Sequence, residues 1–124
     1  MMEEMERMLK KIEAILAKEP RYKFEAYSFV MAGLHDTVSK LAAPRHVTGR
    51  ELSEGLRDYA LEQFGPMART VLEHWGIQHT QDFGKIVFAL VEAQLLRKTE
   101  EDLPADFENV YDFDKAFQYE IKEE

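Results

Sequence analysis

The chain has 124 residues, with 24 Asp or Glu against 16 Lys or Arg, a formal net charge of -8, no cysteine, and 45% apolar residues. That length predicts one domain, residues 1–124, able to bury roughly two-thirds of its unfolded surface without covalent staples. The missing cysteines exclude a disulfide framework, a thiolate metal site and a thiol nucleophile, and the acidic balance argues against nucleic acid or an anionic membrane as a partner of a basic surface.

Residues 1–18 read as an amphipathic helix. Met5, Met8, Leu9, Ile12, Ile15 and Leu16 recur at helical spacing. Glu3, Glu4 and Glu6 suit the positive end of the helix dipole, Lys18 suits the other end, and Pro20 stops it. The stripe resembles a short coiled-coil seam. Its methionines, adaptable at contact surfaces, make it the expected intermolecular face. The segment lacks the continuous apolar stretch of a signal peptide, and no run approaches the ~20 apolar residues of a membrane span. Cytoplasmic residence without membrane contact is the default expectation.

A second helix is expected over about 21–41. Phe24, Tyr27, Val30, Met31, Leu34, Val38 and Leu41 form one face, with a narrower strip of Ala26, Phe29 and Gly33. Thr48-Gly49-Arg50-Glu51 is a capping-box pattern that opens a helix over 49–64. Gly65-Pro66 breaks it and starts another, with Met67, Val71, Leu72 and Trp75 inward and Gly76 as a left-handed cap. Thr80 is the expected cap of the most apolar helix, 81–96. Its Phe83, Ile86, Val87, Phe88, Leu90, Val91, Leu95 and Leu96 cover over half the circumference, which predicts the central helix.

The acidity sits in the last quarter. Residues 98–124 hold ten acids and three bases, a net of -7, and leave -1 for residues 1–97. A solvating acidic tail would be poor in aromatics, yet this one carries Phe107, Tyr111, Phe113, Phe117 and Tyr119. Residues 107–117 are therefore expected to dock on the body. The segment 98–102 reads as a turn or a helix start, Val110-Tyr111 is locally β-prone, and Asp114 suits the cap of a last short helix. Within the segment 98–124, Tyr111 and Phe113 join Met5, Met8, Ile12 and Ile15 as expected interaction residues, with a basic partner for the acidic stretch.

Seven blocks resemble, in order, those of a family of small bacterial conserved hypothetical proteins. They are Arg45-His46-Val47-Thr48-Gly49, Phe64-Gly65-Pro66-Met67-Ala68, His74-Trp75-Gly76-Ile77, Asp82-Phe83-Gly84, Leu90-Val91-Glu92-Ala93, Lys98-Thr99-Glu100-Glu101-Asp102 and Val110-Tyr111-Asp112-Phe113. The similarity covers about residues 22–117. It implies a compact bacterial domain and carries over no catalytic or binding residue. A weaker similarity of architecture links helices at 49–64, 66–75 and 81–96, with a two-stranded wing at about 96–99 and 109–113, to winged-helix domains. DNA contact fits poorly: Lys85 is the one base among residues 80–96, and the wing would be acidic.

Candidate chemistry is sparse. His74, His79 and Asp82, with His46, offer donors for a nitrogen and oxygen metal site, though in no standard spacing. The plainer reading places His74 near a helix C-terminus, where a cation is favoured, and His79 in an exposed turn. Arg45, His46 and Thr48, with Arg50 and Arg57, offer an anion site at a helix start; the plainer reading is a polar capping loop. Asp102, Asp106, Asp112 and Asp114 form no calcium loop, since residues 98–114 contain no glycine. Ser28, Ser39 and Ser53 fall within expected helices, and no nucleophile elbow, phosphate loop or dinucleotide fingerprint is present. The expected fold is a mainly α bundle of five to six helices around 81–96, with a small C-terminal hairpin as an open alternative. The expected function is a non-enzymatic interaction domain, without cofactor, that self-associates or works through a protein partner. The alternatives are a winged-helix-like regulator with reduced DNA contact and a small-ligand or metal-dependent enzyme using His46, His74 or His79.

Overall fold

A computed structural model describes residues 2–97 and 103–117. The protein is mainly helical, and no strand occurs among the described residues. The helices are α1 (Met2–Lys18), α2 (Phe24–Ser39), α3 (Gly49–Phe64), α4 (Ala68–His74), α5 (Thr80–Glu92) and α6 (Phe113–Ala116), with 3-10 turns at Gly65–Met67 and Pro104–Phe107. No described helix is long and apolar enough to cross a membrane.

The broadest contact joins α2 and α3, and α5 packs across both. The apolar α5 is thus one member of the core, not its sole axis. Small residues explain the shift: a Cβ on Gly33 would run into the Leu56 side chain, and one on Gly55 into Thr37, so the two backbones approach where larger residues would hold them apart. The resulting core buries Ile12 from α1, Val30 from α2, Leu56 from α3, Leu72 from α4, and Phe83, Ile86 and Leu90 from α5. Met67 does not join it. Ala68 points inward instead, and Met67 stays 54% exposed.

Local hydrogen bonding sets the helix ends. At α3 the capping box is complete, with Thr48 Oγ1 accepting the Glu51 N–H at 3.1 Å and Glu51 Oε1 accepting the Thr48 N–H at 3.0 Å. At α4 the Gly76 N–H reaches the Glu73 carbonyl and the Ile77 N–H reaches that of Leu72, a Schellman closure with Gly76 at φ +96°. Helix α2 begins three residues after the expected start, because Lys23 is extended and gives its N–H to the Trp75 carbonyl at 3.1 Å. Helix α5 stops at Glu92, not 96. Gln94 adopts φ 65°, and the N–H groups of Gln94 and Leu95 return to the carbonyls of Val91 and Leu90. Its N-cap is His79, one residue before the expected Thr80.

Of the acidic segment, residues 103–117 are described; they dock on the body as expected for 107–117, and the arm of the expected wing at 98–99 lies outside the described residues. Phe107 wedges between α3 and α5, so close that a Cβ on Gly49 or Gly84 would lie 2.9 Å from its atoms. The Val110 N–H donates to Thr80 Oγ1 at 3.1 Å, and the Tyr111 hydroxyl donates to the Ser53 carbonyl at 2.7 Å. Arg69 pairs with Asp114. The arm expected at 109–113 is not a strand. Asn109 turns the chain at φ 48°, and Asp112, rather than Asp114, caps α6 by accepting the Asp114 N–H at 2.8 Å. Aromatic packing outweighs the local β-propensity: Phe113 stacks on Tyr111 and meets Phe117 edge-on, with ring centroids 5.9 and 4.9 Å away. The segment 98–102 and Tyr119 lie outside the described residues.

Candidate functional site

The histidines that offered donors for a metal site are spread over three places. His46 lies on the connection between α2 and α3, His74 ends α4, and His79 caps α5. All three are exposed, and no group of three or more His, Asp or Glu among the described residues is arranged to hold a metal ion. Asp82 is fully engaged elsewhere. Its Oδ1 accepts the Tyr22 hydroxyl and lies 3.2 Å from the Arg21 guanidinium. Its Oδ2 accepts the N–H groups of Gln78 at 2.8 Å and His79 at 3.0 Å. The carboxylate is 1% exposed, so these donors replace the water it loses. Burial, and the hydrogen bond to Asp82, push the Tyr22 hydroxyl far above the ordinary tyrosine range and keep it a donor. Asp82 therefore ties the approach to α2 to the start of α5.

The anion candidates are likewise committed. Arg45 grips Glu51 with both terminal nitrogens, at 2.6 and 3.0 Å. Glu51 in turn holds the Thr48 amide. The Arg45 guanidinium, then the backbone bond from Thr48, lower the Glu51 carboxyl to about 2. The helix start weighed as an anion site is held by its own glutamate, as in the plainer reading of a capping loop.

The expected interaction residues divide into two sets. Phe113 is 4% exposed, and Tyr111 is bonded to Ser53 with the Arg57 guanidinium over its ring. Both are committed to contacts within this chain. On α1, Ile12 is fully buried, and Met8 and Ile15 pack on the core, whereas Met2 and Met5 are 81% and 61% exposed. Met2, Met5, Leu9, Ile12 and Leu16 occupy the a and d positions of one seam. The body covers that seam toward its C-terminal end and leaves its first heptad bare.

One feature of the fold has no counterpart in the expected sites. An apolar cavity of about 270 Å³ opens between α2, α3, α5 and the Phe107 turn. Leu34, Val38, Val47, Leu52, Val87, Phe88, Val91, Leu96 and Phe107 line it, and Arg45, His46 and Arg97 stand among the lining residues. Its one trace in the sequence is the excess of apolar residues on 81–96, more than one packing partner covers. Full burial also explains that excess, so the sequence alone does not separate the two. Comparison with known proteins finds no match to this chain from a family model, a curated protein or a solved structure.

Proposed function

We propose that the chain is a non-enzymatic interaction domain that self-associates through the first turns of α1. The carrying observation is the bare first heptad of the seam, where Met2 and Met5 lie exposed in line with the buried Ile12. Charge favours a second copy as the occupant. Glu3, Glu4 and Glu6 precede Arg7, Lys10 and Lys11 along the helix, so an antiparallel copy sets acids opposite bases. Two exposed methionines per copy fall far short of the ~1,200 Å² of a stable interface, so the association is weak and concentration-dependent. The family resemblance over residues 22–117 is part of this proposal and supplies no activity of its own. The winged-helix alternative gains no supporting observation, because α5 presents Lys85 as its one base and 109–113 forms no strand.

The test is size-exclusion chromatography with light scattering over a concentration series, on the natural chain and on Met2→Glu/Met5→Glu. Acids suit a helix N-terminus, so this variant keeps α1 folded. The natural chain is expected to gain mass with concentration and the variant to stay monomeric. A natural chain that is monomeric at every concentration, or a variant that associates equally well, defeats the proposal.

A further inference from the structure

We propose that the cavity between α2, α3, α5 and the Phe107 turn is a binding site for a small monocarboxylate with a linear apolar chain. A cavity lined by Leu34, Val38, Val47, Leu52, Val87 and Val91 gives water few of the two to four polar partners it needs, and such spaces accept apolar guests. At about 270 Å³ it falls just under the ~300 Å³ at which pockets for drug-sized ligands begin, which points to a slender guest.

The lining selects the head group. It includes two guanidinium groups and no carboxylate, although the protein as a whole carries a net charge of -8. Arg45 is neutralised by Glu51. Arg97 is exposed and pairs with no carboxylate among the described residues. A carboxylate there gains a charge-assisted hydrogen bond while its chain displaces nothing well held from the apolar interior. An amine of the same chain length meets repulsion at the same place, and an alcohol keeps the burial but loses the charge. The inference does not depend on self-association, because the cavity lies within one copy and uses no residue of α1.

Octanoate, octanol and octylamine are the probes, followed by calorimetry and by chemical-shift titration of the full chain. Octanoate is expected to saturate one site and to shift the amides of Val87, Val91 and Leu52. Octanol is expected to bind about tenfold more weakly and octylamine not at all, in line with the loss of one charged hydrogen bond. Arg97→Glu, at an exposed position, is expected to weaken octanoate about tenfold or more with no change in melting temperature. Val91→Phe is expected to fill the space and abolish binding. If Val91→Phe does not fold, Arg97→Glu decides alone. No saturable octanoate binding below its micelle concentration overturns the inference, as does binding that Arg97→Glu leaves unchanged or that octylamine matches.

Discussion

At the scale of single residues, one carboxylate that offered itself as a metal ligand, Asp82, and one expected in a capping box, Glu51, both act as local fasteners. Asp82 and Glu51 both sit at the third position of a helix and reach back to amides at its start. There they meet donors that would otherwise lack partners and the positive end of the dipole. Glu51 also shows how such a contact responds to acid. Its carboxyl falls from 4.5 to about 2 in the folded protein, chiefly through the Arg45 hydrogen bond. A group whose folded value is depressed contributes stability that is fully present above its unfolded value and is lost as pH falls through the folded one. The window is therefore pH 4.5 down to about 2. Glutamine keeps the capping acceptor and loses only the charge. Glu51→Gln is expected to be slightly less stable than the natural chain at neutral pH, and the gap is expected to close across that window. Urea unfolding at a series of pH values measures it; a gap that stays constant refutes the assignment.

At the scale of elements, the 3-10 turn Pro104–Phe107 decides how the C-terminal segment meets the bundle. Phe107 fills a slot whose two walls are Gly49 on α3 and Gly84 on α5. On helix propensity alone, alanine is better than glycine by about 1 kcal/mol. At Gly84 the new methyl would lie 2.9 Å from Phe107, so packing opposes propensity. Gly84→Ala is expected to destabilise by about 1–3 kcal/mol, and Phe107→Ala by about 3–5 kcal/mol. The double variant is expected to cost less than the sum, because alanine at 84 then fills space the ring has left. Chemical denaturation of all four chains tests this, and strict additivity rejects the slot. Elements of this kind differ in how well the sequence shows them. The start of α3 is legible because Thr48 and Glu51 satisfy each other within one turn. The end of α5 is not, because Gln94 adopts a left-handed conformation usually given to glycine. The Phe107 slot is invisible for another reason: its two walls lie 35 positions apart in the chain, and nothing local to either announces the meeting.

At the scale of the whole molecule, the charge divides the chain where the packing does not. The segment 98–124 carries a net of -7 and so resembles a tail, yet its described part supplies Phe107, Phe113 and Phe117 to the core at 3%, 4% and 7% exposure. The aromatics in it were the legible sign of docking. What the segment docks against was not legible, because Ser53, Thr80 and Arg69, which receive the Tyr111 hydroxyl, the Val110 amide and the Asp114 carboxylate, come from three different helices. This arrangement fixes what the acidic segment can do. Its buried aromatics face inward, so among the described residues the exposed large apolar side chains are Leu103 in this segment, Met67, and Met2 and Met5 on α1. It also makes the segment part of the cooperative unit. Each buried aromatic lost costs about 3–5 kcal/mol, while a domain of this kind is stable by only about 5–15 kcal/mol. A chain ending at Asp102 loses all three and uncovers Phe83, which is fully buried in the intact fold and rests on Phe113. It is expected to keep much of its helical far-ultraviolet signal, to melt without a cooperative transition, and to bind a hydrophobic dye. A shortened chain that still melts cooperatively near the temperature of the natural one would mean that the first 102 residues carry the core alone.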